Sequence, residues 1–178
     1  MFRTVRMPAG VKGGLYLHSL PGRYEPWDEA LAALRTFQIS RIVSLMPDRE
    51  ALEKSSFYAR AAERNALPCT RTVVAVKEYD VPLDRETFFQ LVDEVATSIR
   101  GGERVLAHCA AGRGRTGMFA ICVLIALGYR RRDAERVVAR AGSAPESPDQ
   151  KRLVAAMAQR NRRGLFARLR RRLTSKRS

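Results

Sequence analysis

The stretch that decides the fold is VLAHCAAGRGRTG, residues 105–117, together with the apolar run that follows it. ERVLAH (103–108) predicts a short strand that ends at a cysteine, and TGMFAICVLIALG (116–128) predicts a helix apolar enough to be buried. CAAGRGR (109–115) joins them as a glycine-containing loop. This order predicts an anion-binding site, because the backbone N–H groups of such a loop converge at a helix N-terminus, where the helix dipole favours negative charge.

Outward from this segment, strands alternate with helices toward the N-terminus, and helices alone follow toward the C-terminus. Strands are predicted over 13–23, 41–46 and 70–76, helices over 27–37, 55–67 and 85–101, a loop over KEYDVPLD (77–84), and further helices over 131–141 and 147–160. The alternation predicts an α/β fold with a mostly parallel central sheet flanked by helices.

Length and charge divide the chain into a domain and a tail. With 178 residues and 46% hydrophobic residues, the chain can bury one core, which we assign to residues 1–160. Residues 151–178 hold 11 Lys or Arg and no acid, so only +4 of the net charge of +15 falls on residues 1–150. We expect residues 161–178 to form a basic tail, amphipathic or disordered. The sequence has no apolar run long enough for a membrane span or a secretory signal, so we expect a cytoplasmic protein.

The three cysteines are widely spaced and predict neither a disulfide framework nor a zinc site. We expect no metal and no other cofactor. Cys122 lies in the apolar helix and is expected to be an inert core thiol. Cys69 has two interpretations: a buried half-strand thiol, which we favour, or a partner for Cys109 in a protective disulfide. His18 is expected to be a surface or strand-end residue, and His108 is expected to orient the loop through hydrogen bonds.

Cys109 and Arg115 are the residues that could carry out chemistry in the loop. The field of the loop and of the helix N-terminus would hold Cys109 as a thiolate, which is the nucleophilic form of cysteine. Arg115 can bind two phosphate oxygens at once, and Thr116 could donate its hydroxyl to the sulfur. The phosphate would lie in a cradle made by the whole loop: Ala110, Ala111, Gly112, Arg113, Gly114 and Arg115.

HCAAGRGRT resembles the signature of the protein-tyrosine and dual-specificity phosphatases, in which a cysteine, five residues and an arginine precede a serine or threonine. LHSLPGR, RIVSL and SPDQ extend the resemblance over residues 13–158, toward the cyclin-dependent-kinase-associated phosphatases. The resemblance implies a protein-tyrosine-phosphatase-like fold and two-step chemistry. Cys109 would attack phosphorus, and water would then hydrolyse the phosphocysteine intermediate.

The resemblance also implies a general acid ahead of a proline, about 30 residues before the cysteine. KEYDVP offers two carboxyls: the spacing to Pro82 favours Glu78, whereas residue type favours Asp80, which we take as the acid. Gln150 resembles a glutamine that positions the hydrolytic water in some members. The expected substrate is a protein carrying phosphotyrosine and, in addition, phosphoserine or phosphothreonine.

Two alternatives to a protein phosphatase stay open. Arg113 matches a position where phosphoinositide phosphatases carry lysine, so a lipid substrate is the second enzymatic reading. The other alternative is a phosphate-binding scaffold without activity.

The tail, with apolar Leu165, Phe166, Leu169 and Leu173, could be a solvated tail or could bind an anionic membrane surface or a phosphoinositide. Nucleic acid is not expected as a partner. GRGRTG also fits a dinucleotide fingerprint, but the segment after it predicts a helix and not the second strand which that fold needs.

Overall fold

One five-stranded sheet forms the centre of the computed structural model of the chain. Its strands are β1 (Arg3–Thr4), β2 (Gly14–His18), β3 (Arg41–Ser44), β4 (Thr70–Val73) and β5 (Arg104–His108). Their order in the sheet is β1-β2-β5-β3-β4, with parallel pairing everywhere except between β1 and β2, which are antiparallel. The predicted α/β fold with a mostly parallel sheet is confirmed.

Seven helices flank this sheet. They are α1 (Trp27–Thr36), α2 (Asp48–Lys54), α3 (Ser56–Glu63), α4 (Arg85–Gly101), α5 (Gly114–Ala126), α6 (Arg131–Arg140) and α7 (Pro148–Thr174). Two caps predicted from sequence are present: Gly102 ends α4 in the left-handed conformation, and the Ser147 hydroxyl accepts a hydrogen bond from the backbone N–H of Gln150 at 3.2 Å.

The central strands are buried on both faces because each face packs against its own layer of helices. Leu15, Leu17 and Val105 point into a core shared with α4, α5, α6 and α7, and α5 lies wholly inside it. Tyr16, Ile42 and Leu106 point to the opposite face, where they meet α1, α2 and α3. This two-sided burial places the end of β5, and the loop that follows it, at the middle of the molecule.

Three elements differ from the sequence-based expectation. β1 was not predicted, because two residues are too short to show a hydrophobic period. α2 was also missed: Pro47 stops β3 as expected but directly precedes a helix with acidic residues in its first turn. α7 continues through residue 160 to Thr174, so no break in the backbone marks the start of the predicted tail.

The structure describes the backbone of residues 1–174 and the side chains of residues 1–164. The apolar tail face predicted at Leu165, Phe166, Leu169 and Leu173 therefore lies outside the described side chains. Within the described residues, no helix combines the length and the apolar character needed to cross a membrane.

Candidate active site

The loop between β5 and α5 surrounds a point at the N-terminal end of a buried helix. β5 ends at His108, Cys109 follows with 3% of its surface exposed, and α5 begins at Gly114. Ala111 and Arg113 are exposed, whereas Ala110, Gly112, Gly114 and Arg115 are buried. The first N–H groups of a helix have no partner within the helix, so this end of α5 can bind an anion.

Gly112 is required by the shape of the loop. Gly112 has φ +70°, and a Cβ there would collide with the backbone carbonyl of His18. A Cβ on Gly114 would meet the carboxylate at the end of the flexible Glu146 side chain, so a substitution there would displace that side chain. The backbone N–H of Leu20 also binds the carbonyl of Ala110 at 3.2 Å, so the end of β2 fixes the loop from one side.

Arg115 is held by a bidentate ion pair with Glu50. Its Nη1 and Nη2 donate to the two carboxylate oxygens at 2.8 and 2.9 Å, and Nη1 also donates to the carbonyl of Val76 at 2.8 Å. Burial lowers the pKa of Arg115, but the Glu50 hydrogen bonds and the charges of Cys109 and Glu78 outweigh that effect and raise it. Arg115 is therefore a fixed cation beside Cys109.

Glu50, on α2, is a site residue that the sequence analysis missed. Its hydrogen bond to Arg115 is the largest influence on its pKa and lowers it, with smaller contributions from the positive charges of Lys54 and Arg23. The only sequence signal for Glu50 was an acidic residue one turn after Pro47, where β3 ends. Its contact with Arg115 could not be inferred because α2 itself was not predicted.

Thr116 does not make the hydrogen bond expected for it. Its hydroxyl is fully buried and has no hydrogen-bond partner among the residues that the structure describes. The expected donation to the sulfur of Cys109 is therefore absent in this structure. A buried hydroxyl without a partner carries a desolvation penalty, which a bond formed during the reaction would remove.

His108 connects the loop to helix α3. Arg71 Nε donates to the Tyr58 oxygen at 3.1 Å, and the Tyr58 hydroxyl lies 2.8 Å from His108 Nε2. His108 Nδ1 lies 3.4 Å from the carbonyl of Cys109, which requires the Nδ1–H tautomer. Burial lowers the pKa of His108 to about 3. The residue is therefore neutral, and it orients the backbone of Cys109 by hydrogen bonding, as expected from the sequence.

The loop carrying Glu78 and Asp80 lies beside the site. Tyr79, between them, has φ +62°, and the Asp80 carboxylate accepts a hydrogen bond from the backbone N–H of Val81 at 2.8 Å. Gln150 fixes this loop, because its side-chain amide donates to the Asp80 carbonyl at 3.1 Å. Gln150 is fully buried, and its side-chain oxygen accepts from the backbone N–H of Glu146 at 2.9 Å.

Glu146 and Arg3 are two further residues at the loop that the sequence analysis missed. Glu146 lies against Gly114, and its carboxylate is 3.6 Å from Nε of Arg113. Arg3 binds the carbonyl of Gly112 from behind at 2.6 Å. Neither residue belongs to the loop motif, and both reach it from elements that are remote in sequence.

The remaining cysteines and His18 are also placed. Cys122 is buried in the core, and its pKa is raised by burial. Cys69 is a free thiol directly before β4 that is only half-buried and not buried as expected, and burial raises its pKa to about 11. His18 ends β2, which is one of the two positions expected for it, and it is buried. Its Nδ1 lies 2.8 Å from the Ser19 hydroxyl and its Nε2 lies 3.7 Å from Glu25.

A family model described as PTP-SAK, Swiss Army Knife protein, DSP-PTPase phosphatase domain, matches residues 12–168. The chain belongs to this family. It thus has a phosphatase domain of the dual-specificity and protein-tyrosine phosphatase superfamily, as the loop motif predicted. No curated protein sequence matches this phosphatase domain.

Solved structures share the fold of this phosphatase domain at low sequence identity. Kinase-associated phosphatase with serine at its catalytic-site cysteine has a TM-score of 0.75 at 16% identity, covering 90% of this chain and 95% of that chain. PTPMT1 in complex with PI(5)P has a TM-score of 0.67 at 15% identity, covering 85% and 94%. The human tyrosine phosphatase-like serine/threonine/tyrosine-interacting protein has a TM-score of 0.62 at 20% identity, covering 92% and 97%. The predicted resemblance to the kinase-associated phosphatase is confirmed.

Proposed function

We propose that the protein hydrolyses phosphomonoesters through a phosphocysteine intermediate on Cys109. The observation that carries this proposal is the loop from Cys109 to Gly114, which ends at the N-terminus of α5 and has the Arg115 guanidinium fixed beside it. The thiolate attacks phosphorus, the substrate oxygen leaves with a proton, and water releases inorganic phosphate from the sulfur. Arg115 and the loop N–H groups stabilise the charge that spreads over the phosphoryl oxygens.

The proton would come from the loop that carries Glu78 and Asp80. Residue type favours Asp80, whose carboxylate is engaged with the backbone of its own loop at Val81. The charge of Glu78, in contrast, acts on Arg115, which places its carboxylate within electrostatic reach of the site. Residue type therefore favours Asp80 as the acid, whereas the spacing to Pro82 and the electrostatic influence on Arg115 favour Glu78. Gln150 would position the hydrolytic water through the second amide N–H and the second oxygen lone pair, which its two present hydrogen bonds leave free.

The substrate class that we favour is phosphotyrosine in proteins, with phosphoserine and phosphothreonine in addition. A phosphoinositide is a second candidate, because Arg113 is exposed on the loop and Lys54 and Arg23 add positive charge near Glu50. The pairing of Arg113 with Glu146 offsets part of this positive charge and supports the first candidate. PTPMT1, which was solved with PI(5)P, shares the fold of this chain.

Hydrolysis of para-nitrophenyl phosphate across pH 4–9, without added metal and with a reductant, tests the proposal. Native protein, Cys109→Ser, Asp80→Asn and Glu78→Gln are compared. We expect the Cys109 change to abolish activity, and the change that removes the basic limb of the pH profile identifies the acid. A phosphocysteine trapped in acid provides the direct demonstration. Native protein that binds phosphate but shows no turnover would favour the scaffold function instead.

A paired assay separates the two substrate candidates. Turnover is measured on a phosphotyrosine peptide and on a water-soluble phosphoinositide, for native protein and for Arg113→Leu. If the lipid is the substrate, the substitution lowers turnover of the phosphoinositide alone.

For the tail, residues 161–178, we propose binding to anionic membranes. Sedimentation with anionic liposomes should then fall when residues 161–178 are removed, and unchanged sedimentation contradicts that role.

A further inference from the structure

Arg3, on β1, reaches the back of the phosphate-binding loop. Its Nη2 donates to the carbonyl of Gly112 at 2.6 Å, while its Nη1 donates to the carbonyls of Ala141 and Gly142 at 3.0 and 2.7 Å. One guanidinium group therefore joins β1, the loop after Cys109 and the turn that ends α6. These contacts span 109 to 139 residues of sequence.

The carbonyl of Gly112 receives a second donor. The Ser143 hydroxyl, which is buried, donates to the same oxygen at 2.6 Å. The peptide between Gly112 and Arg113 is planar and trans, so its N–H points away from its C=O. Holding the carbonyl toward Arg3 and Ser143 therefore directs the N–H of Arg113 to the opposite side of the peptide, toward the inside of the loop.

Arg3 differs from the two arginines of the loop segment in that no carboxylate of the described residues neutralises its charge. Arg115 is paired with Glu50 and Arg113 with Glu146, but Arg3 forms no ion pair with a carboxylate among the residues that the structure describes. Burial lowers the pKa of Arg3, and the nearby charge of Cys109 opposes this effect. A guanidinium group stays protonated in proteins, so an uncompensated positive charge lies within electrostatic reach of the nucleophile.

We propose that Arg3 is a positioning residue of the phosphatase site, which fixes the loop carbonyl at Gly112 and stabilises the Cys109 thiolate from behind the loop. The effect on turnover rests on the proposed phosphocysteine chemistry. The effects on anion binding and on the ionisation of the thiol do not require turnover. They can therefore be measured separately from it.

The test compares Arg3→Gln, Arg3→Lys and the control Arg6→Gln in the full chain. Arg6 is an exposed residue of the same N-terminal segment, so the control removes the same charge away from the loop. The first measurement is the midpoint pH for alkylation of Cys109 by iodoacetamide, followed by peptide mass. The peptide mass distinguishes alkylation of Cys109 from that of Cys69, whose pKa is raised by burial to about 11, and from that of the buried Cys122. The second measurement is the calorimetric affinity for inorganic phosphate.

For Arg3→Gln we expect the alkylation midpoint to rise by about 0.5–1 pH unit, less than a directly adjacent charge gives. Phosphate affinity should fall by about tenfold, because a nearby positive charge is lost and the Gly112 carbonyl, with the N–H of Arg113, is held by one donor fewer. Arg3→Lys retains the charge but not the fork that binds several carbonyls, so it should keep the native midpoint and still lose phosphate affinity. Arg6→Gln should match the native protein in both measurements.

An Arg3→Gln protein that alkylates and binds phosphate like Arg6→Gln overturns the proposal. So does a variant that only loses thermal stability, because Arg3 would then be a structural contact. If Arg3→Gln does not fold, native phosphate affinity in Arg3→Lys overturns it. Native protein that hydrolyses no substrate, with phosphate binding that still depends on Arg3, refutes the proposed activity and supports the positioning role.

Discussion

Replacing Glu50 with glutamine tests whether the ion pair behind the site holds Arg115 in position. The substitution keeps the size of the side chain and one acceptor oxygen, but it removes the charge that both Nη atoms of Arg115 bind. The new amide N–H group would also face the guanidinium donors. The change therefore leaves a buried cation without its counter-charge.

The magnitude follows from the burial of the pair. The Arg115 side chain is 3% exposed and that of Glu50 is 18% exposed. Removing one partner of a fully buried pair costs about 3–5 kcal/mol. Because Glu50 is partly solvated and the Val76 carbonyl still binds Arg115, we expect a loss of about 2–3 kcal/mol in the free energy of unfolding. With a typical urea dependence, this lowers the unfolding midpoint by about 1 M.

The assay combines urea unfolding at pH 7 with kcat/KM on para-nitrophenyl phosphate. Glu53→Gln is the matched control, because Glu53 lies on the same helix and pairs with Arg49, but both are well exposed. The control should change stability by less than about 0.5 kcal/mol. Glu50→Gln should also lower kcat/KM by about 10- to 100-fold, since a displacement of the Arg115 guanidinium group by about 1 Å has effects of that order. Equal stability and activity in the two variants would refute this account of Arg115.

Two more predictions concern His108 and the packing of α5. The pKa of His108 is lowered to about 3, so the unfolded chain takes up a proton below about pH 6.5 that the folded protein does not. The free energy of unfolding should therefore fall as pH falls from 6.5 toward 3, by up to about 1.4 kcal/mol per pH unit from this residue. Urea titrations between pH 6.5 and 5, where few carboxyls titrate, should show a smaller slope in His108→Gln, and equal slopes contradict the prediction. Gly117→Ala would place a Cβ 2.5 Å from the backbone nitrogen of Ala144, so it should lose about 2–3 kcal/mol of stability, whereas Gly101→Ala, which enters open space, should lose none. Thermal unfolding of both variants tests this prediction. Equal melting temperatures would show that the backbone at Ala144 can move away from α5 at little cost.

The sequence predicted the parts of the site that are contiguous in the chain. Residues 105–117 carry a strand, a loop and a helix start within thirteen positions, so local periodicity and the two glycines were enough to place Cys109 and Arg115 together. The buried helix α5 was predicted for the same reason, although it begins two residues earlier than expected, at Gly114. Strands β2 to β5 followed from their apolar density, with ends that differ by a few residues.

The partners of these residues could not be predicted, because they come from distant elements that meet only in the folded sheet. Glu50 is 65 residues from Arg115, and Arg3 is 109 residues from Gly112. Both lie in short elements, α2 and β1, that show little periodicity. The hydrogen bond between Tyr58 and His108 likewise depends on α3 packing under the end of β5, which no local pattern encodes.

The long-range contacts suggest how the charge of the site is arranged. The bidentate contact with Glu50 orients Arg115 and cancels its charge at long range, which leaves its hydrogen-bond geometry as its main contribution to a bound phosphate. Arg113 is partly cancelled by Glu146 in the same way. Among the residues that the structure describes, Arg3 binds neutral carbonyls and no carboxylate, so one uncancelled positive charge lies behind the loop. A positive charge in that position adds to the attraction for an anion and leaves the mouth of the loop open for the phosphoryl group.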